Sequence, residues 1–239
     1  MSRKMQIKTF HNITALLLLI TICILMPVNI NTRAETSIYT NKPLIIIDPG
    51  HGGKDCGAQG LSGLKEKDFN LSLAFALKRK LKKDFKIVFT READYFAGIN
   101  SRADKANSNK DGIFISLHTG SVFTQNKTGN FLIGYYSSQP EKNNFPEIDT
   151  INRKHTQNSK KLAKSIYQVL SEKNTVSIFS APFRMLGSVN MPAIIIEADN
   201  MNSPEGSIRL KHPDYIEKTA KSISMGIFKY FKMDQQQIF

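Results

Sequence analysis

The chain has 239 residues, of which 41% are hydrophobic, and it carries a formal charge of +13. A chain of this length can bury a full hydrophobic core, and its two cysteines, Cys23 and Cys56, are too few for a small disulfide-stabilised scaffold. The excess of basic residues leaves two interpretations, which are an anionic partner and a solvated lysine-rich surface.

The N-terminal segment has the pattern of an export signal. Arg3, Lys4 and Lys8 precede a run without charges from Ile13 to Met26, and residues 32–34 resemble a small-residue cleavage site. We therefore predict a signal peptide over residues 1–34 and a linker over residues 35–43, with an uncleaved membrane anchor through residues 13–26 as the alternative. Cleavage would remove four basic residues and no acidic one, which lowers the charge to +9. Export excludes nucleic acid as the partner and leaves a membrane surface or an acidic wall polymer.

Apolar strand patterns then alternate with amphipathic helix patterns. The pattern predicts strands at Leu44–Ile47, Phe85–Phe89, Gly112–Leu117, Asn130–Tyr136 and Pro192–Ile196, and helices at Lys67–Lys83, Asn100–Asn109, Lys160–Leu170 and Asp214–Phe231. Such alternation is typical of an α/β fold. We predict a single domain over residues 44–232, with a twisted, mostly parallel sheet flanked by helices on both faces, and a C-terminal tail over residues 233–239.

The stretch LIIIDPGHGGKDCG, from Leu44 to Gly57, is the first candidate for a functional site. A buried strand ends abruptly there, and His51 follows among glycines that allow the backbone to approach a ligand closely. The alternative is a strand followed by a tight turn with an incidental histidine.

Three of the predicted strands lead into an ionisable residue: His51, His118 and Glu197. Ligands of parallel sheets collect at the carboxyl ends of the strands, and two histidines with a carboxylate are a common zinc set. His155 and His212 lie in polar surroundings that favour a solvated side chain. The residues alone do not decide the carboxylate, because five acidic residues could all face this edge, namely Asp48, Asp55, Glu66, Asp68 and Glu197.

Several ordered segments resemble the zinc-dependent N-acetylmuramoyl-L-alanine amidases of bacterial cell-wall turnover. These segments are DPGHGGKDCGAQG, GLKEKDFNLSLA, FTRE followed by SRADKAN, FISLH and NMPAIIIE. The resemblance implies that His51, Glu66 and His118 bind Zn²⁺ and that Glu197 is the catalytic glutamate. It also implies hydrolysis of the amide between N-acetylmuramic acid and L-alanine in peptidoglycan, by water that the zinc activates.

The chain departs from the family pattern at Cys56, at Thr119-Gly120 and at Ala198-Asp199-Asn200. These departures and the basic charge favour one alternative, a weakly active wall-binding module, and the alternative among enzymes is another zinc amide hydrolase of the cell wall. The polar stretch from Ser137 to Asn158 is predicted to be a mobile surface loop and a candidate lid. We further expect a monomer that acts on peptidoglycan in the periplasm or the cell wall.

Overall fold

The computed structural model describes residues 42–61, 63–120, 131–137 and 151–235 of the chain. The predicted signal peptide, most of the linker and the segment 138–150 lie outside these residues. The described residues contain six strands, at Leu44–Pro49 (β1), Lys86–Phe89 (β2), Gly112–His118 (β3), Phe131–Tyr136 (β4), Val176–Ala181 (β5) and Ala193–Ala198 (β6). The helices are Glu66–Leu81 (α1), Ile99–Asn107 (α2), Thr156–Leu170 (α3), Arg184–Gly187 (α4), Pro204–Lys211 (α5) and Tyr215–Gln235 (α6).

The strands form one sheet in the order β2-β1-β3-β6-β4-β5. All neighbouring strands are parallel except β4 and β6, which pair antiparallel. The central strands are continuous runs of Ile, Leu and Phe because both of their faces are covered. The predicted α/β fold with a mostly parallel sheet is therefore confirmed.

Helices cover both faces of this sheet. On one face α1, α3 and α6 pack over a large core that includes Ile47, Ile115 and Ile196, and α6 lies against both of the other helices. On the other face α2 and α4 pack over a smaller core around Ile46 and Phe114. The alternation of side chains along each strand sends successive isoleucines to opposite cores, as strand geometry requires.

Several features of the fold were not predicted. β5, α4 and α5 had no predicted counterpart, and the last helix extends to Gln235, into the segment assigned to a tail. The predicted loop over residues 137–158 is wrong in its last part, where a 3₁₀ turn at Ile151–His155 leads directly into α3. Within the described ranges, no helix is long and apolar enough to cross a membrane.

The register of the strands aligns their ends. At the carboxyl edge, Pro49 of β1 pairs with Leu117 of β3, and His118 of β3 pairs with Glu197 of β6. At the opposite edge, Leu44 pairs with both Lys86 and Gly112, so β1, β2 and β3 begin together. The predicted site residues therefore meet at one edge of the sheet.

Candidate active site

His51 lies on the loop that follows β1. Its backbone has a φ of 61°, a left-handed conformation that is unusual for a residue with a side chain. Its Nδ1 lies 2.9 Å from Oδ1 of Asp55, and its Nε2 lies 3.2 Å from Oε2 of Glu66. Burial lowers the pKa of His51, but Glu66 and Asp55 more than offset this effect and raise it above its ordinary value. Asp55 thus orients the ring so that Nε2 faces Glu66.

Glu66 is the first residue of α1, where the helix dipole favours a negative charge. Its carboxylate is 5% exposed and accepts hydrogen bonds from the backbone amides of Ala58, at 2.8 Å, and Thr119, at 3.0 Å. Burial opposes ionisation, but hydrogen bonds to His118 and His51 hold the pKa of Glu66 far below its ordinary value. Glu66 is therefore a fixed anion between two imidazoles.

His118 completes the cluster from the end of β3. Its Nδ1 lies 3.0 Å from Oε1 of Glu66, and its ring meets that of His51 edge to face, with the ring centroids 4.9 Å apart. The ring occupies the space beside Gly50, where an added Cβ would lie 2.4 Å from Nε2 of His118. Gly50, the first glycine of the DPGHGG segment, is therefore required because the ring of His118 approaches it so closely.

This cluster fits a zinc ion. One donor atom from each of His51, Glu66 and His118 lies within 4.8 Å of the other two. Tetrahedral Zn²⁺ with bonds of about 2.1 Å would hold its donors roughly 3.4 Å apart; Oε2 of Glu66 lies 3.2 Å from Nε2 of His51, and Oε1 of Glu66 lies 3.0 Å from Nδ1 of His118. Two imidazoles and one carboxylate, with backbone amides donating hydrogen bonds to that carboxylate, are also the chemistry that zinc sites use.

Glu197 stands beside this cluster on the neighbouring strand. It pairs in register with His118, and its Oε2 accepts a hydrogen bond of 2.8 Å from the amide of Gly120. Burial is the largest effect on this side chain, and together with the charge of Glu66 it raises the pKa of Glu197 above its ordinary value. A carboxylate of this kind is suited to taking up and releasing a proton.

Two buried arginines hold the backbone of the loop that bears His51. Arg102 of α2 donates to the carbonyl oxygens of Pro49 and His51, both at 2.7 Å, and to Oδ1 of Asp48 at 2.6 Å. Arg91 donates from Nε to Pro49 at 2.9 Å and from Nη2 to Gly50 at 2.9 Å. Three successive carbonyls, from residues 49 to 51, are thus fixed by two guanidinium groups. These contacts stabilise the left-handed conformation of His51.

The five candidate carboxylates differ clearly in their positions relative to the two histidines. Only Glu66 lies between the histidines, while Asp48 is buried against Arg102 and Asp68 is exposed. Asp55 contacts His51 from the side opposite to Glu66. Neither His155 nor His212 belongs to the cluster: His155 contacts Asn190 and His212 is exposed.

Sequence reasoning did not assign roles to Asp55, Arg91 or Arg102. Arg91 and Arg102 belong to the quoted segments FTRE and SRADKAN, and Asp55 follows His51 by four residues in the glycine-rich loop. The signal available was the position of each arginine, since Arg91 follows a strand and Arg102 lies on a short helix. Their partners, which are backbone carbonyls, leave no pattern in the sequence.

The departures from the family pattern do not displace the site. The amide of Thr119 bonds Glu66 and that of Gly120 bonds Glu197, so both contacts come from the backbone. Asp199 has a φ of 84°, and its buried carboxylate receives Nε and Nη2 of Arg209 at 2.8 and 2.7 Å and the hydroxyl of Tyr215 at 2.8 Å. These three bonds compensate for a conformation that glycine adopts more readily.

Comparison with known proteins agrees with this site. The profile of the Amidase_3 family, described as N-acetylmuramoyl-L-alanine amidase, matches residues 45–229. Relatives with N-acetylmuramoyl-L-alanine amidase in their names include a protein of Buchnera aphidicola, which is 32% identical over 80% of this chain and 96% of its own length. AmiC of Escherichia coli is 27% identical, and this chain spans about half of that protein, covering 54% of its length.

Solved structures with the same fold carry the same name. The amidase AmiC2 of Nostoc punctiforme is 31% identical with a TM-score of 0.65, over 81% of this chain and 99% of that one. An N-acetylmuramoyl-L-alanine amidase of Clostridium difficile is 26% identical with a TM-score of 0.68, over 81% of this chain and 98% of that one. From the profile match and these relatives, the chain belongs to the N-acetylmuramoyl-L-alanine amidase family.

Proposed function

We propose that this chain hydrolyses the amide bond between N-acetylmuramic acid and L-alanine in peptidoglycan, with Zn²⁺ as its cofactor. The observation that carries the proposal is the placement of Glu197, a buried carboxylate of raised pKa, directly beside a His-Glu-His cluster. A cluster of metal-binding side chains alone would also suit a protein that binds its ligand without catalysis. A proton acceptor next to it is what a hydrolase needs.

His51, Glu66 and His118 would hold the metal, through Nε2 of His51, the Glu66 carboxylate and Nδ1 of His118. When bound, zinc would supply Lewis acidity that polarises the amide carbonyl and makes water a better nucleophile near neutral pH. The hydrogen bond from Asp55 to His51 and the amide bonds to Glu66 support this assignment, because they fix the direction of each ligand.

Glu197 has the role of general base and then general acid. Its carboxylate accepts the proton of the attacking water and passes it to the departing amine of L-alanine. The amide of Gly120 holds one carboxylate oxygen and leaves the other for this transfer. The raised pKa strengthens the basicity of the carboxylate while burial keeps bulk water away from the proton.

The test is the substitution Glu197→Gln, which preserves shape and removes the proton acceptor. Hydrolysis of purified peptidoglycan should fall by about 10²–10⁴-fold while stoichiometric zinc is retained. Glu205→Gln is the matched control, because Glu205 is an exposed glutamate of α5, and its activity should be unchanged. Retained hydrolysis in zinc-loaded Glu197→Gln would refute the role of Glu197.

Identification of the new chain ends separates the remaining alternatives. Free N-terminal L-alanine identifies the proposed amidase, whereas a cut within the stem peptide or at an acetamido group identifies a different zinc amide hydrolase. Binding to peptidoglycan without any new ends identifies a wall-binding module. Metal analysis of the purified protein should give one zinc per chain, and His118→Ala should lose most of it. The absence of zinc together with activity in the presence of a chelator would refute the metal assignment.

A further inference from the structure

Exposed lysines gather at the edge of the sheet opposite to the site. We call this surface the basic edge and define it by seven lysines, Lys42, Lys82, Lys83, Lys86, Lys110, Lys229 and Lys232, all of which are exposed. Asp84 and Asp111 directly follow Lys83 and Lys110 in the sequence, and Asp234 lies two residues after Lys232. Within the described ranges, no carboxylate forms a salt bridge with any of the seven.

The fold brings these lysines together from four parts of the chain. Lys42 precedes β1 and Lys110 precedes β3, while the amide of Lys86, at the start of β2, donates to the carbonyl of Pro43 at 2.9 Å. Lys82 and Lys83 connect α1 to β2. The end of α6 joins them because Phe85 packs against Phe228 and Phe231, with ring centroids 5.1 and 5.0 Å apart.

The basic edge lies too far from the site to contact the bond that is cleaved there. β1 is six residues long, so its two ends lie about 20 Å apart. His51, His118 and Glu197 lie at the far end of the same strands. An anionic group held by the lysines is therefore well beyond contact with Glu197.

The chain also reaches the folded domain at this edge. Lys42 and Pro43 lead into β1, and the uncharged run from Ile13 to Met26 lies sixteen residues before Lys42 in the sequence. Sixteen extended residues span at most about 55 Å. In the uncleaved chain, a bilayer that holds the apolar run thus lies within reach of the basic edge.

We propose that the basic edge binds the anionic headgroups of a phospholipid bilayer and turns away from the membrane the opposite edge of the sheet, which carries His51, His118 and Glu197 and is called the catalytic edge. Clustered lysines beside a membrane-directed segment are attracted to anionic lipids, and each one near the surface strengthens binding by about fivefold. With the basic edge on the bilayer, β1, β3 and β6 point their carboxyl ends outward. The site then faces material lying about one domain thickness from the membrane.

The experiment measures sedimentation of the full-length chain with phosphatidylcholine vesicles that contain either no anionic lipid or about 30% phosphatidylglycerol. The quantity compared is the ratio of the two partition coefficients, which removes the contribution of the apolar N-terminal run. The variant Lys83→Gln/Lys86→Gln/Lys232→Gln should lower this ratio by roughly 100-fold. Added salt should lower the ratio of the unmodified protein in the same direction.

The matched control is Lys173→Gln/Lys211→Gln/Lys218→Gln, which removes the same charge from exposed lysines toward the catalytic edge. Lys173 precedes β5, and Lys211 and Lys218 flank Tyr215, which contacts Asp199. The control should change the ratio by less than about threefold, since the Debye length is about 8 Å at physiological salt. An equal loss in both triple variants would overturn the proposal, as would a ratio near one for the unmodified protein. Tighter binding of a polyglycerol phosphate polymer than of anionic vesicles would assign the edge to a wall polymer instead.

Discussion

Arg102 offers the most direct test of how the loop bearing His51 is held. Arg102 and Asp48 form a buried pair, with side-chain exposures of 7% and 2%, and Nη1 of Arg102 lies 2.6 Å from Oδ1 of Asp48. The same guanidinium donates to the carbonyls of Ala97, Pro49 and His51, each at 2.7 Å. Arg102→Met keeps most of the side-chain volume but removes the charged partner of Asp48 and the Arg102 donor from these three carbonyls, of which that of Pro49 retains the bond from Arg91.

The expected cost is about 3–5 kcal/mol in the free energy of unfolding, the range for breaking one partner of a buried ion pair. That is a large fraction of the roughly 5–15 kcal/mol that stabilises a typical domain. Because His51 loses the donor that holds its carbonyl, the zinc dissociation constant should also rise by about 10–100-fold. Urea unfolding of the metal-free protein measures the first effect, and a competitive zinc titration of the folded variant measures the second.

Arg79→Met is the matched control, because the side chain of Arg79 is 57% exposed and pairs with Glu217 at the surface. It should cost less than about 1 kcal/mol and leave zinc affinity unchanged. Asp48→Asn in the Arg102→Met background should recover about 1–3 kcal/mol, since the buried charge is gone. If Arg102→Met costs no more than Arg79→Met, or if the two substitutions at the buried pair are additive, the reasoning is refuted.

Three further predictions concern the same loop. Asp55→Ala should weaken zinc binding by about 10–100-fold, because His51 loses the partner of Nδ1; an unchanged zinc titration would contradict this. Gly57→Ala should lower the free energy of unfolding in urea by at least about 1–2 kcal/mol and weaken zinc binding. The reason is that φ at residue 57 is 65° and the new Cβ would lie 2.6 Å from Cδ2 of His51. A variant as stable as the unmodified protein would show that the loop adapts. Burial raises the pKa of Asp48, but Arg102 and hydrogen bonds from neighbouring hydroxyls outweigh this effect and lower the pKa below 3.8. The ionised Asp48 therefore stabilises the folded protein fully above that pH, and this stabilisation disappears as the pH falls through the folded pKa. The stability gap between the unmodified protein and Arg102→Met should therefore shrink on acidification, and a gap independent of pH would argue against the ion pair as its cause.

The sequence predicted most of the regular structure that positions the site. Continuous aliphatic runs such as that ending at Glu197 identify buried parallel strands, and helix periodicity identified α1, α2, α3 and α6 within a few residues. β5 was missed because Val176–Ala181 is half-buried along its length and contains two serines, so it lacks both a continuous apolar run and clear alternation. Strand β4 was predicted, but its antiparallel direction depends on pairing with β6, which local pattern cannot reveal.

The site was predicted in part from the residues and in part from resemblance. Two histidines at strand ends suggested a metal, but the choice of Glu66 among five carboxylates required the family pattern. The structure brings His51, Glu66 and His118 together, and it places Glu197 beside them. The supporting roles of Asp55, Arg91 and Arg102 depend on contacts over up to 54 residues of sequence, which become visible only in the folded chain.

The position of β6 in the sheet has a consequence for the order in which the protein can assemble. β6 lies between β3 and β4 although it is the last strand to be synthesised. Before β6 is available, the β2-β1-β3 group and the β4-β5 pair share no strand-to-strand hydrogen bonds. The nascent chain already contains His51, Glu66 and His118 at that stage, but Glu197 arrives on the strand that joins the two groups. An unfinished or prematurely terminated chain can therefore carry the three proposed metal ligands without the proposed base, and the proposed hydrolysis would require the insertion of the last strand.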